Sequence, residues 1–282
     1  MAKKAVLIGI NRYRVPGADL RGCVPDVKNM SRLLQKQYGF DAGDITTITD
    51  FDATKKAMEE AIEGLIKGGK SGDVLLLHYS GHGSSVPDDN NDEENDNRDE
   101  ILCPTDLDWY DPFRDDWLRK VFDGLKAGVS LTFVSDSCHS GTVTRAIEPP
   151  DAEVIERYLP SPWDLATVES GRDLTATTRG TLHKATEDER KARDIVPVDI
   201  PEVLISGCRD DQTSADAHIS GGYAGALTYN LVEALTEAGT PLSYRDLHDQ
   251  TCAKLKRGRY EQIPQLEGSK ARLEQPFLSP LE

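Results

Sequence analysis

The stretches Asp73-Val74-Leu75-Leu76-Leu77-His78-Tyr79-Ser80-Gly81-His82-Gly83 and Val129-Ser130-Leu131-Thr132-Phe133-Val134-Ser135-Asp136-Ser137-Cys138-His139-Ser140-Gly141 decide the fold. Each is a short, nearly continuous apolar run that breaks into small and polar residues. Runs of this length with no polar alternation read as strands buried on both faces, as in a parallel sheet. One strand ends in a histidine between two glycines. The other ends in a cysteine, followed by a glycine three residues on. In an open α/β sheet, reactive groups gather at the carboxyl ends of the strands. If both strands belong to one parallel sheet, His82 and Cys138 leave it at the same edge, as a thiol–imidazole pair requires. The plainer alternatives are a structural histidine and a buried cysteine used as core filler. His139, next to Cys138, points away from it at a strand end and reads as structural.

Outward from these runs, strand and helix patterns alternate. Ala5–Ile10, Ile45–Thr49 and Glu202–Gly207 read as further strands. Asp26–Tyr38, Thr54–Lys67, Asp115–Leu125, Gly225–Leu235 and Tyr244–Leu255 carry helical spacing of apolar residues, with Ser243 placed to cap the last. This alternation specifies an α/β fold with a mostly parallel central sheet flanked by helices. Residues 143–200 break the pattern. They are polar, rich in Pro, Thr, Arg and Glu, and read as a mobile linker or activation segment with a short helix near Ala152–Tyr158. The chain thus divides into a larger part, 1–142, the linker, 143–200, and a smaller part, 201–282.

The formal net charge is −16, and nearly half of it lies between Asp88 and Glu100, with eight acidic residues and one arginine. Such a surface repels nucleic acid and favours basic ligands or cations. No apolar run approaches the ~20 residues of a membrane span. The basic start, Met1-Ala2-Lys3-Lys4, leads into an apolar run that is short for a signal peptide. Five cysteines without CxxC spacing suit free thiols in a cytoplasmic setting and argue against structural zinc.

His-Tyr-Ser-Gly-His-Gly at 78–83 and Asp-Ser-Cys-His-Ser-Gly at 136–141 resemble the two catalytic motifs of metacaspases. Leu20–Asp26, Asp99–Asp106 with Asp115-Asp116, and Ile205–Asp216 resemble further segments of that family. The likeness is to the compact, single-domain prokaryotic type, and it implies a caspase-like fold and cleavage of proteins after Arg or Lys. It implies His82 as base, Cys138 as nucleophile, and the backbone amides of Gly83 and Cys138 as oxyanion hole. Cys23, Asp26, Ser80 and Asp136 take the positions of the substrate pocket, where two carboxylates suit a guanidinium or ammonium. Asp26 also reads as a helix N-terminal charge, and Asp136 as a hydrogen-bonded strand-end carboxylate. Asp99, Asp115 and Asp116 match positions that bind calcium as an activator in some relatives, although Arg145 falls where a fourth acidic residue would stand. The chemistry itself needs no cofactor. The resemblance also implies a monomer and a zymogen. The linker holds Arg157, Arg172, Arg179, Lys184, Arg190, Lys191 and Arg193, where an enzyme that cuts after basic residues could process itself; the plainer alternative is a flexible, charged linker. An activating protein partner is compatible with the resemblance. The alternatives are a catalytically silent caspase-like scaffold and another thiol-dependent hydrolase or transferase.

Overall fold

The computed structural model describes residues 1–88, 98–138, 154–169, 194–197, 199–209 and 212–281. In chain order, the elements of the larger part are β1 (Lys3–Gly9), α1 (Cys23–Gln37), β2 (Ile45–Thr49), α2 (Lys55–Gly68), β3 (Val74–Ser80), β4 (Gly83–Pro87), β5 (Arg98–Leu102), β6 (Phe113–Arg114), α3 (Asp115–Phe122) and β7 (Ser130–Asp136). They are followed by β8 (Val154–Glu156), α4 (Pro162–Glu169), β9 (Ile195–Pro197), β10 (Glu202–Ser206), β11 (Ala215–Ile219), β12 (Gly222–Gly225), α5 (Ala226–Ala238), α6 (Tyr244–Arg257), β13 (Gln265–Gly268) and α7 (Lys270–Leu273).

Seven strands form the central sheet in the order β2-β1-β3-β7-β10-β13-β9. Its ladders are parallel except for β10–β13, which is antiparallel. Period-two alternation sends successive residues to opposite faces, and both faces of the central strands are largely apolar. Val6, Ile8, Leu75, Leu77, Leu131 and Phe133 face a core with Met58, Ile62 and Leu65 of α2 and Leu118 and Phe122 of α3. Ala5, Leu7, Val74, Leu76, Val134, Val203 and Ile205 face the other core, with Val27, Met30 and Leu34 of α1, Leu227 and Leu231 of α5, and Tyr244 and Leu247 of α6. Both faces are covered, so the polar residues within these runs are buried and hydrogen-bonded, His78 to Thr228 and Thr132 to Tyr244.

The β3–β7 register sets Ser80 opposite Asp136. His82 and Cys138 therefore lie two residues beyond the same rung. The strand order reverses about β1, which has β2 on one side and β3 on the other, and a crevice opens at such a switch point. Two three-stranded sheets frame it, β4-β5-β6 and β12-β11-β8.

Several elements differ from expectation. α1 starts at Cys23 rather than Asp26, because Pro25 lies in the first turn, where its missing N–H has no role. Ser243 caps α6 by accepting from the Asp246 amide. The short helix expected near Ala152–Tyr158 is instead the strand β8, antiparallel to β11. Its extended form comes from that pairing rather than from local propensity. The small strands β4–β6 and β11–β13 were not read from the sequence. Most of the linker, His139, Arg145 and the acidic run 89–97 lie outside the described residues.

Candidate active site

The turn after β3 is fixed by its neighbours. The Tyr79 hydroxyl lies 2.6 Å from the His82 carbonyl and 3.0 Å from the Cys103 carbonyl, which share its one proton. The His82 amide donates to the Tyr13 hydroxyl at 2.8 Å. Gly81 is required here: a Cβ would lie 2.6 Å from the Tyr79 hydroxyl and 2.8 Å from that of Tyr13. The His82 ring is buried, stacks at a tilt on Tyr13 with centroids 5.0 Å apart, and places Nε2 2.9 Å from the Ala18 carbonyl. A carbonyl can only accept, so the proton sits on Nε2 and the lone pair on Nδ1. Among the described residues Nδ1 has no partner. Burial lowers the His82 pKa to about 4, against the pull of the Ala18 carbonyl, so the ring is neutral at neutral pH.

Cys138 is also fully buried. Its sulfur accepts from the Ser214 amide and lies 3.7 Å from the Cys208 sulfur. Among the described residues no hydrogen bond joins Cys138 to His82. The two side chains share one rim of the sheet, but the thiol is turned toward Ser214 and Cys208.

Beside them lies a pocket built from four parts of the chain and filled by Arg157. That residue is completely buried. Its Nη2 is 2.9 Å from Asp26 Oδ2 and 3.2 Å from Asp216 Oδ1. Its Nη1 is 3.2 Å from Asp136 Oδ1, and donates to Ser80 Oγ at 2.8 Å and to the Asp136 carbonyl at 3.0 Å. Each carboxylate is held in turn. Asp26 accepts from Ser80 Oγ and the Gly225 amide. Asp136 accepts from Ser214 Oγ and from the amide and hydroxyl of Thr228 in the first turn of α5. Asp216 accepts from the Arg21 and Gly22 amides. Burial works against the Arg157 charge, but Asp136, Asp26 and Asp216 outweigh it and hold the guanidinium pKa above its ordinary value. Burial pushes the Asp26 carboxyl up to about 7, against the pull of Arg157. Cys23 is buried within electrostatic reach of the guanidinium, and burial raises its thiol pKa.

The backbone of Arg157 is held as firmly. Its carbonyl accepts from the amides of Gly83 at 3.0 Å and Cys138 at 3.3 Å. Its own amide donates to the Ser214 carbonyl at 2.9 Å, and the Leu159 amide donates to the Gly83 carbonyl at 3.0 Å.

The structure therefore brings Cys23, Asp26, Ser80 and Asp136 around one cation and sets Gly83 and Cys138 against one carbonyl. Sequence reasoning missed Asp216 and Gly225 of this pocket. Asp216 lay within a quoted stretch, but nothing local marked it as turned inward. A Cβ at Gly225 would overlap Asp136 and the Arg157 guanidinium, so glycine leaves the space that the cation fills. Arg157 was one of eight lysines and arginines in the linker, and no sequence signal set it apart.

The acidic residues proposed for calcium are arranged differently. Asp99 is buried and paired with Arg114 at 2.8 Å, and Asp115 is paired with Arg119 at 3.2 Å. Among the described residues no three His, Cys, Asp or Glu side chains converge as a metal cage. As arranged, these carboxylates do not fit a calcium ion, because arginines already neutralise two of them.

A family model for the caspase domain matches residues 2–274. A crystal structure of GSU0716 from Geobacter sulfurreducens is similar over the whole of both chains, with a TM-score of 0.69 at 28% identity. Caspase-1 from Spodoptera frugiperda shares the fold, with a TM-score of 0.57 at 15% identity over 95% of this chain and 90% of that one. The domain and its fold define a cysteine-type endopeptidase of the caspase kind. Metacaspase-1 from Meyerozyma guilliermondii is 33% identical, over 95% of this chain and 69% of that protein. Metacaspase-1A from Aspergillus niger is 35% identical, over 94% and 69%. The chain belongs to the metacaspase family. Among the described residues no helix is long and apolar enough to cross a membrane.

Proposed function

We infer that this endopeptidase cuts proteins after arginine or lysine, with Cys138 as nucleophile and His82 as base, and that the chain is a zymogen. The observation that carries this reading is the convergence of Asp26, Asp136 and Asp216 on one buried guanidinium beside the thiol. A buried cation is tolerated only where carboxylates offset its lost hydration. The same three carboxylates would repel an aspartate or glutamate side chain.

The geometry supports a specific sequence of events. With Nε2 protonated toward Ala18, Nδ1 of His82 is free to take the thiol proton. The Gly83 and Cys138 amides, which already hold a carbonyl oxygen, would stabilise the oxyanion as sulfur adds to the carbonyl carbon. In the state described the thiol faces Ser214 and Cys208, so activation requires both a turn of Cys138 toward the substrate and removal of Arg157 from the pocket. Five free thiols, two of them adjacent, fit a reducing compartment such as the cytoplasm. The protein is proposed to act as a monomer on exposed protein chains.

The test uses fluorogenic peptides ending in Arg, Lys or Asp before the reporter. Turnover of the Arg and Lys peptides, absent in Cys138→Ala and His82→Ala, is expected. Turnover of the Asp peptide alone, or Arg turnover that survives Cys138→Ala, would refute the assignment.

A further inference from the structure

We propose that the groove between α1 and β2 is a docking site for an extended acidic segment of a partner protein, which joins the central sheet as a further strand beside β2. The proposal is independent of the cleavage reading above.

Two separate observations lead to it. The first is an unguarded edge. β2 ends the central sheet, and among the described residues no strand pairs with its outer side. Its residues, Ile45-Thr46-Thr47-Ile48-Thr49, match β1 rung for rung without a bulge. Edge strands are ordinarily blunted by a charge, a proline or a bulge, because bare main-chain donors and acceptors recruit other chains. β2 carries none of these, and its β-branched residues suit strand pairing.

The second is the charge beside that edge. A groove of about 530 Å³ runs along α1, with Thr47 and Thr49 on its other side. Ile45 packs into the core on the α1 face, and period-two alternation turns Thr47 and Thr49 the same way. Lys28, Arg32 and Lys36, all exposed, line the helix side together with the buried Val27. The chain holds 49 acidic and 33 basic residues, yet among the described residues none of these three cations is paired with a carboxylate. Arg32 Nη1 donates to Asn29 Oδ1 at 3.1 Å. A favourable charge at the end of the helix dipole would account for Lys36, in the last turn, but not for all three.

The spacing selects the form of the ligand. Helix positions four apart are about 6 Å apart along the axis. Same-side residues of an extended chain repeat every ~6.5 Å. Three carboxylates at alternate positions of a strand therefore fall in step with Lys28, Arg32 and Lys36. A contiguous acidic run would send half its charges to the opposite face, and a helical ligand has no free main chain to offer β2.

The experiment uses the full chain and a fluorescein-labelled peptide, Glu-Thr-Glu-Val-Glu-Thr-Glu, with binding read by anisotropy at low salt. The peptide holds no arginine or lysine, so the outcome does not depend on cleavage. It should bind about tenfold tighter than its isomer Glu-Glu-Glu-Glu-Thr-Val-Thr, and lose about tenfold in the triple variant Lys28→Gln/Arg32→Gln/Lys36→Gln. Methylating the main-chain nitrogens of its three central residues should abolish binding. None of the three substituted residues touches the Arg157 pocket, and far-UV circular dichroism and Tm check that the variant is folded. Equal binding of the two isomers would show that the surface reads net charge alone and would overturn the proposal. Retained binding of the methylated peptide would mean that no strand is added, and undiminished binding to the triple variant would place the ligand elsewhere; either overturns it. So does the absence of binding at millimolar peptide.

Discussion

Replacing arginine by lysine before the scissile bond should lower kcat/KM by about ten- to a hundredfold. The guanidinium meets the pocket at two nitrogens pointing different ways. Nη1 takes Ser80 and both the carbonyl and carboxylate of Asp136, while Nη2 takes Asp26 and Asp216. An ammonium presents three donors from a single point, so it can serve one of these groups of partners but not span both. A hydrogen bond to a charged group contributes about 1.5–3 kcal/mol. A net loss of one such bond, at about 1.4 kcal/mol per tenfold, gives the stated range. Matched fluorogenic peptides differing only at that residue provide the assay, with kcat/KM measured on processed enzyme. A ratio within about threefold would show that the pocket reads charge and not shape, and would refute the argument from the fork.

Three further outcomes follow from the same geometry. Gly225→Ala should cut kcat/KM for Arg peptides by about ten- to a hundredfold, since a methyl group there overlaps the guanidinium position and such clashes cost about 1–3 kcal/mol; unchanged kinetics would show that the pocket floor lies elsewhere. The pH profile of kcat/KM should have its acid limb set by Asp26 and lying above that of His82, because burial raises the Asp26 carboxyl, to about 7 with Arg157 in the pocket, whereas burial lowers His82 to about 4. Emptying the pocket removes the pull of Arg157 but admits water, and the two act in opposite directions; a limb near 4 that persists in Asp26→Asn would assign the titration to His82. Processed enzyme should turn over Arg peptides in the presence of a chelator, with calcium changing the rate less than about twofold, because Asp99 and Asp115 are already paired with arginines. A calcium requirement of tenfold or more would mean that those pairs open to admit the ion.

The sheet and the two strand ends were legible because burial on both faces leaves an unbroken apolar signature in β1, β3 and β7. Asp26 and Asp136 could be located because the stretches that hold them, Leu20–Asp26 and Asp136–Gly141, resemble metacaspase motifs. Asp216 and Arg157 could not. Asp216 lies in β11 and Arg157 directly follows β8; each strand is held by the other, and pairing across about sixty residues leaves no local pattern. The helix expected near Ala152–Tyr158 failed for the same reason, since its apolar residues answer to a distant partner rather than to a helical face. Asp99 illustrates a different limit: an acidic residue in an acidic run gives no hint that an arginine fifteen residues later will neutralise it.

If β8 withdraws, as the proposed activation requires, β11 would present a bare row of main-chain donors and acceptors beside the thiol. Any incoming chain must therefore supply three residues of straight backbone before its arginine, and a helix cannot do so without unwinding. Targets of this enzyme are expected to be nicked in loops and interdomain tethers, leaving folded bodies whole, so that its action resembles cutting string between parcels rather than digestion.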